Sequence, residues 1–379
     1  MGMEQEQFTK QLKYAYWLHA AWAMTNRKLW EITERLGMPQ AIYECETERL
    51  QTVLSEKQAE KLESSKRTWN LQEKWEELKE KSIQFLPFFH PDYPEKLRTI
   101  PDAPWAVYLK GRLPGDSLSV AVIGARQCSE YGRLAAGRIG KSLGENHILA
   151  VSGMARGIDG ISQLAALEAG GSSLAVLGCG VDICYPRENG RLYEMLEERG
   201  GILSEYPPGT QPIGALFPPR NRIISGLSDL LVVVEAKEKS GTTITVDMAL
   251  EQGKEVLVLP GRITDALSYG CNRLIKQGAG VLVSVEDIFQ TLGTTGKMER
   301  VNRGRKKSMV PEDGLDTEEE RRIYEILDYM PKNLEQIWWE YGREEITAQQ
   351  LMYRLLELCL KGKALQTGSC YYKTGMEMF

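Results

Sequence analysis

Between Leu118 and about Leu292 the chain repeats one pattern, a short apolar run followed by a helical stretch, and nothing else in the sequence narrows the possible folds so far. The runs are LSVAVI, HILAV, LAVLG, GILSE, LLVVVE, EVLVLP and VLVSV. They are continuously apolar, as strands are when both faces of a sheet are covered, and strand-like in length. Between most of them lie the helical stretches Glu130 to Leu143, Gly157 to Ala169, Gly190 to Arg199, Thr242 to Gln252 and Cys271 to Gln277. Such alternation predicts an α/β fold, a mostly parallel sheet with helices on both faces. In a sheet of this kind ligands bind beyond the carboxyl ends of the strands, so those ends are where chemistry is sought.

The flanks have other textures. From Phe8 to about Lys81 apolar residues recur at helical spacing among many charges, which predicts an all-helical N-terminal domain over 1–82, with breaks at caps such as Gly37-Met38-Pro39. Ile83 to Phe89 is an extended apolar run. The stretch from there to Pro114 holds so many of the 16 prolines that it reads as an irregular segment wrapping onto the body formed by 83–292. Residues 293–315 carry RVNRGRKK and little apolar content, and read as a linker. Over 316–379 the helical stretches Thr317 to Leu327, Leu334 to Tyr341 and Thr347 to Cys359, with a hairpin over Lys363 to Lys373, predict a winged-helix domain.

Composition closes off several classes. With 379 residues, 42% hydrophobic and 26% charged, the chain is globular and long enough for two or three domains of roughly 150 residues. Its 47 Lys and Arg against 52 Asp and Glu give a net charge of -5, which excludes a protein basic throughout but not a local basic groove. The 7 cysteines form no CxxC and no Cys/His quartet, the pattern of reduced cytoplasmic thiols. The start, MGMEQEQFTKQLKYAYWLHA, lacks a leader-like apolar core, and no uncharged run approaches the roughly 18 residues of a membrane span. A soluble cytoplasmic protein without a membrane partner is the expectation.

The strand ends are unusually rich in glycine and arginine. The first ends in Gly124-Ala125-Arg126 with Ser129 as a helix cap, a place where backbone amides and a guanidinium can meet a phosphate, though a glycine here also serves a plain turn. The second ends in Gly153-Met154-Ala155-Arg156-Gly157-Ile158-Asp159, where Asp159 is equally well an N-cap. The third runs through Gly178-Cys179-Gly180 to Tyr185-Pro186-Arg187. Phe217-Pro218-Pro219-Arg220-Asn221-Arg222 then opens a helix, putting donors where the helix dipole already favours an anion, with Phe217 as a base-stacking surface or a core residue. Loops leaving one sheet edge with this content make that edge a positive, amide-rich rim.

Catalytic constellations are poorly supplied. The 3 histidines (His19, His90 and His147) do not fall at strand ends as a Ser-His-Asp arrangement needs, a Walker A motif is absent, and Cys179 and Cys184 lack further nearby ligands for a metal. In contrast, GAR at 124–126, SGMARGID at 152–159, AVLGCGVDICYPREN at 175–189, LSEYPPG at 203–209, FPPRNRIISGLSD at 217–229, VVVEAKEKSGTTIT at 232–245 and LPGR at 259–262 together resemble the DprA/Smf family, in order and spacing, from about Phe88 to Leu292.

That resemblance implies an extended Rossmann-like fold and a non-enzymatic protein of natural transformation and homologous recombination. It would bind and protect incoming single-stranded DNA and help load the RecA recombinase. It further implies no cofactor and a homodimer formed through about 246–285. The family's DNA pocket maps onto Gly124 and Arg126, Arg187, and Phe217, Arg220, Asn221 and Arg222, and Gly153, Arg156 and Gly157 join them as loop residues of the same rim. Ser162-Gln163 and Cys128 depart from the family pattern, which bears on local packing. A weaker likeness, to nucleotide phosphoribohydrolases of the lysine-decarboxylase-like group, offers an enzymatic alternative. Against it, Ser240-Gly241-Thr242-Thr243 is not followed by the glutamate that group requires.

Overall fold

The computed structural model describes residues 2–21, 24–115, 117–238, 240–294, 315, 317–328 and 331–373. They belong to two compact units, Met1–Gly296 and Lys297–Phe379. The predicted linker, 293–315, lies outside the described residues except for Gly293, Thr294 and Leu315.

The first unit begins with helices α1 (Gly2–Ala20), α2 (Asn26–Leu36), α3 (Pro39–Glu44), α4 (Thr47–Gln51), α5 (Glu56–Thr68) and α6 (Leu71–Glu80). Strand β1 (Ile83–Pro87), the short α7 (Glu95–Arg98) and β2 (Ala106–Gly111) follow. The alternating region then supplies β3 (Ser119–Ile123), α8 (Glu130–Glu145), β4 (Leu149–Ser152), α9 (Ile158–Glu168), β5 (Ser173–Val176), α10 (Gly190–Arg199) and β6 (Gly201–Ser204). It continues with α11 (Phe217–Gly226), β7 (Leu230–Val233), α12 (Gly241–Glu251), β8 (Glu255–Val258), α13 (Tyr269–Lys276), β9 (Gly280–Val281) and α14 (Glu286–Thr291).

All nine strands form one sheet in the order β1-β2-β6-β5-β4-β3-β7-β8-β9. β3 to β9 pair in parallel, whereas β1 with β2 and β2 with β6 are antiparallel. The expected parallel sheet is therefore present, the extended run after residue 83 is β1, and one expectation is corrected: the proline-dense segment that follows is not all irregular but adds the strand β2. Its prolines spare the ladder. Pro91, Pro94, Pro101 and Pro104 lie between the strands, Pro87 closes β1 and Pro114 follows β2. The side chains of β2 alternate, Ala106 and Tyr108 to one face and Val107 and Leu109 to the other, as a strand requires.

The two faces carry separate cores. On one, α7, α11, α12 and α13 cover Val107, Ile123, Val151, Val176 and Val233. On the other, Tyr16, Trp17 and Leu18 of α1 pack with Phe85, Trp105, Tyr108, Leu177, Leu192 and Leu196, so helices α1 to α6 share a core with the sheet. Polar contacts tie the two together: Trp30 Nε1 donates to Ala103 O at 2.8 Å and Trp105 Nε1 to Thr33 Oγ1 at 3.0 Å. α8 and α9 approach closely because Gly140 and Gly144 carry no side chain; a Cβ would lie 2.1 Å from Ser162 O and 2.3 Å from Ala166 O. No helix among the described residues is long and apolar enough to cross a membrane.

The second unit holds α15 (Glu318–Ile326), β10 (Lys332–Asn333), α16 (Leu334–Tyr341), α17 (Ala348–Leu360), β11 (Ala364–Thr367) and β12 (Cys370–Lys373). Its strands form an antiparallel sheet ordered β10-β12-β11. Capping boxes Thr317/Glu320, Asn333/Gln336 and Thr347/Gln350 start each helix, and Ile323, Ile337, Leu351, Leu355 and Leu358 fill the core between them.

His19 at the end of α1 lies flat against Trp105, ring centroids 6.0 Å apart, and is hydrogen-bonded through Nδ1 to the Tyr108 hydroxyl at 2.9 Å. Burial lowers its pKa from 6.5 to about 4. Between these values the unfolded chain holds a proton that the folded chain lacks, so stability is full above pH 6.5 and falls as pH drops toward 4, by up to about 3 kcal/mol. Urea unfolding of the wild type and His19→Gln across this window checks the sign: the variant should lose this component of the acid sensitivity.

Candidate nucleic-acid interface

Because β3, β4 and β5 are parallel neighbours, their carboxyl ends deliver the loops 124–129, 153–157 and 177–189 to one edge of the sheet. The start of α11 joins them there, and the four segments line an open cleft. Arg126, Gly153, Arg156, Phe217 and Arg220 line it, together with Tyr185 and Gly178.

The predicted cations fall into four states. Arg126 is exposed, with its guanidinium carbon 5.7 Å from the centre of the Phe217 ring, and Arg187 is exposed with no side-chain partner among the described residues. Arg156 is also exposed but forms an ion pair with Glu188. Arg220 is the floor. It is only 5% exposed, and its Nη1 donates to Gly153 O at 3.1 Å and also to Val176 O. Burial lowers its pKa to about 10, against the pull of the Asp159 carboxylate, so it remains charged at neutral pH.

Arg222 corrects the reading made from sequence. It is 6% exposed, with Nη2 2.5 Å from Glu205 Oε2, Nη1 donating to Glu205 Oε1 at 3.2 Å, and Nε 3.1 Å from Asp102 Oδ2. Two positions beyond Arg220 on one helix, it points some 200° round the axis, and it is spent on acids of the chain itself. Asn221 serves the same helix start, its Oδ1 accepting from Arg220 Nε at 3.3 Å.

The glycines act mainly by absence of bulk. A Cβ on Gly153 would lie 2.7 Å from Arg220 Nη2, and one on Gly124 would lie 2.7 Å from Ile158 Cγ1, so Gly124 packs the loop and does not line the cleft. Gly157 combines φ +72 with a Cβ position 2.3 Å from Ala125 O, where no other residue fits. It lets Ile158 N donate to Ala125 O at 3.3 Å and join the first two loops.

Asp159 is not an N-cap. It stands in the first turn of α9 and accepts Gly153 N at 3.1 Å, and burial raises its pKa while Arg220 and the Gly153 amide pull it down. The α8 N-terminus, where the sequence places a phosphate, receives an internal carboxylate: Ser129 N donates to Glu235 Oε2 at 3.0 Å and Ser129 Oγ donates to Oε1. Gln163 supports the loop after β4 by accepting Met154 N at 3.0 Å and donating to Leu174 O at 3.1 Å.

Sequence reasoning missed Tyr185. It is 42% exposed and stacked on Phe217, centroids 5.6 Å apart at 24°, so the two rings form a continuous shelf beside Arg126. The aromatic directly before Pro186-Arg187 was the available signal. It also missed Glu188, the partner of Arg156, and Asn189, whose Nδ2 donates to Met154 O at 2.9 Å and ties the third loop to the second.

A family model described as DNA recombination-mediator protein A matches residues 84–293. The DNA processing protein DprA of Streptococcus pneumoniae is 44% identical over 200 residues, covering 52% of this chain and 70% of that protein. The X-ray structure of S. pneumoniae DprA superposes with a TM-score of 0.65 and 33% identity, covering 73% of this chain and 97% of that one. DNA processing protein A from Helicobacter pylori, whose structure is described for its single-stranded DNA binding mode, gives a TM-score of 0.50 and 29% identity over 55% of this chain and 95% of that one. These likenesses agree with the resemblance carried by the strand-end motifs.

Removing one partner of a buried ion pair leaves the other unpaired, at a cost of about 3–5 kcal/mol. Arg222→Ala should lower stability by that amount, measured by chemical denaturation, while leaving the salt dependence of any anion binding unchanged.

Proposed function

The chain belongs to the DNA recombination-mediator protein A family, and on that premise we propose that it binds single-stranded DNA in the cleft at the strand ends, without catalysing a reaction on it. Arg126 and Arg187 meet backbone phosphates, Arg156 does so when it leaves Glu188, and the Tyr185–Phe217 shelf takes a base. Arg220, Gly153 and Gly157 shape the floor, and Gly124 and Asn221 hold the elements that carry the contacts. The observation that carries this reading is the Arg126 guanidinium seated over a ring that is itself stacked on an exposed tyrosine. A cation and an aromatic face side by side are what an unpaired strand offers partners for, a charged backbone on one side and bare bases on the other.

In this reading the bound strand is protected during natural transformation and passed to the RecA recombinase, and no cofactor takes part. Exposed Leu250, Ile263 and Val283 support a homodimer built through about 246–285. The second unit is a winged helix that docks a protein and does not read duplex DNA. Arg354 of α17 is held by Glu319 and Glu357, and the same helix exposes Tyr353, Leu356 and Leu360. The phosphoribohydrolase alternative finds no support in the buried carboxylates of the edge, since Asp159 and Glu235 are both engaged with backbone amides.

Each phosphate contact adds about 0.7 to the slope of log affinity against log salt on a single strand. A salt titration with matched single- and double-stranded oligonucleotides should show tighter binding of the single strand and a slope reduced by about 0.7 in both Arg126→Ala and Arg187→Ala. Phe217→Ala should cost about 1–3 kcal/mol without altering the slope. Unchanged slope and affinity in all three variants would show that this cleft is not the site.

A further inference from the structure

We propose that Glu235 is a positioning residue for DNA capture: its carboxylate occupies the anion-binding end of α8 and so fixes the loop from which Arg126 reaches the strand. The proposal rests on the cleft being the DNA site. It starts from a carboxyl side chain just past the end of β7 that is only 2% exposed. A polar group in such a place must be held by hydrogen bonds, and here both come from Ser129, through its amide at 3.0 Å and through its hydroxyl. Ser129 Oγ in turn accepts Gly132 N at 3.1 Å, so the first turn of α8, the N-cap and the carboxylate form one connected unit.

The space for it is built. A Cβ on Gly132 would lie 2.4 Å from Glu235 Cδ, so only glycine at that helical position admits the carboxylate. Among residues that the DNA reading leaves unused, Ser129, Gly132 and Glu235 are thus fitted to one another at a place that touches the Arg126 loop directly.

The consequence is mechanical as well as electrostatic. The loop has six residues, 124 to 129. At one end Gly124 is wedged against Ile158 and the Glu235 backbone, Ala125 O accepts Ile158 N, and at the other end Ser129 is held by Glu235. Arg126, Gln127 and Cys128 are the span between these fixings, and Arg126 is the exposed cation over Phe217. The Glu235 carboxyl already fills the place where the helix terminus would draw a phosphate, so an incoming phosphate meets the guanidinium in place of the helix terminus.

The test is a double-mutant cycle on the full chain with a single-stranded oligothymidylate, reading the salt slope. Glu235→Gln keeps the volume and replaces one acceptor oxygen with a donor. It should lower the slope by about 0.7, matching Arg126→Ala, and Glu235→Gln combined with Arg126→Ala should fall no further. Ser129→Ala, which removes the hydroxyl half of the same link and leaves the amide, should also lower the slope if Glu235→Gln does not fold. Arg187→Ala should still subtract its own increment in either background, which a generally loosened protein would not show. An unchanged slope in both link variants, or a loss that adds to that of Arg126→Ala, overturns the positioning role. If Arg126→Ala alone leaves the wild-type slope intact, the cleft reading fails, and the proposal falls with it.

Discussion

A single buried guanidinium holds the cleft together. Arg220 reaches from the first turn of α11 to the carbonyls of Gly153 and Val176, the ends of β4 and β5, and lies beside the Asp159 carboxylate. A charge in that position costs several kcal/mol in desolvation unless its donors find partners, and here Nη1 meets two strand ends at once while Nε meets Asn221. The register between α11, which carries Phe217, and the loops that carry Arg156 and Tyr185 is thereby set by one side chain. The exposed cations above it can then be few, because the floor already contributes positive potential from a region of low dielectric.

The acids of the rim divide along the same line. Asp159, Glu205 and Glu235 face inward to hold Arg220, Arg222 and Ser129, while Glu188 stands in solvent against Arg156. An exposed pair such as Arg156–Glu188 is worth little, so a polyanion can displace Glu188 at small cost, whereas Arg222 cannot leave Glu205 without stranding a buried charge. A protein of net charge -5 can therefore keep a positive edge: several of the acidic side chains near that edge are turned toward the interior.

Much of this was legible in the sequence. The continuous apolar runs placed β3 to β8 within a residue or two, since strands covered on both faces admit no alternation, and the glycine and arginine content of their ends marked the edge that matters. What escaped has a physical reason in each case. β2 hides among prolines, and a count of prolines does not reveal that they lie in the connections rather than in the ladder. Arg220 and Arg222 are indistinguishable as letters, and only the helical rotation between them sends one under the cleft and the other to Glu205. Glu235 lies more than a hundred residues from Ser129, and a contact across that separation leaves no local trace.

The antiparallel pair β1–β2 also sets a border. The family match begins at residue 84, inside β1, yet Phe85 and Tyr108 of this pair pack against Tyr16 of α1, one tilted and one edge-on, with centroids 5.5 and 6.0 Å away. A chain cut at the family border would open an aromatic seam to water. The border of the family model and the border of the folded unit thus lie at different places, and the helices before residue 83 complete a core that the sheet shares with them.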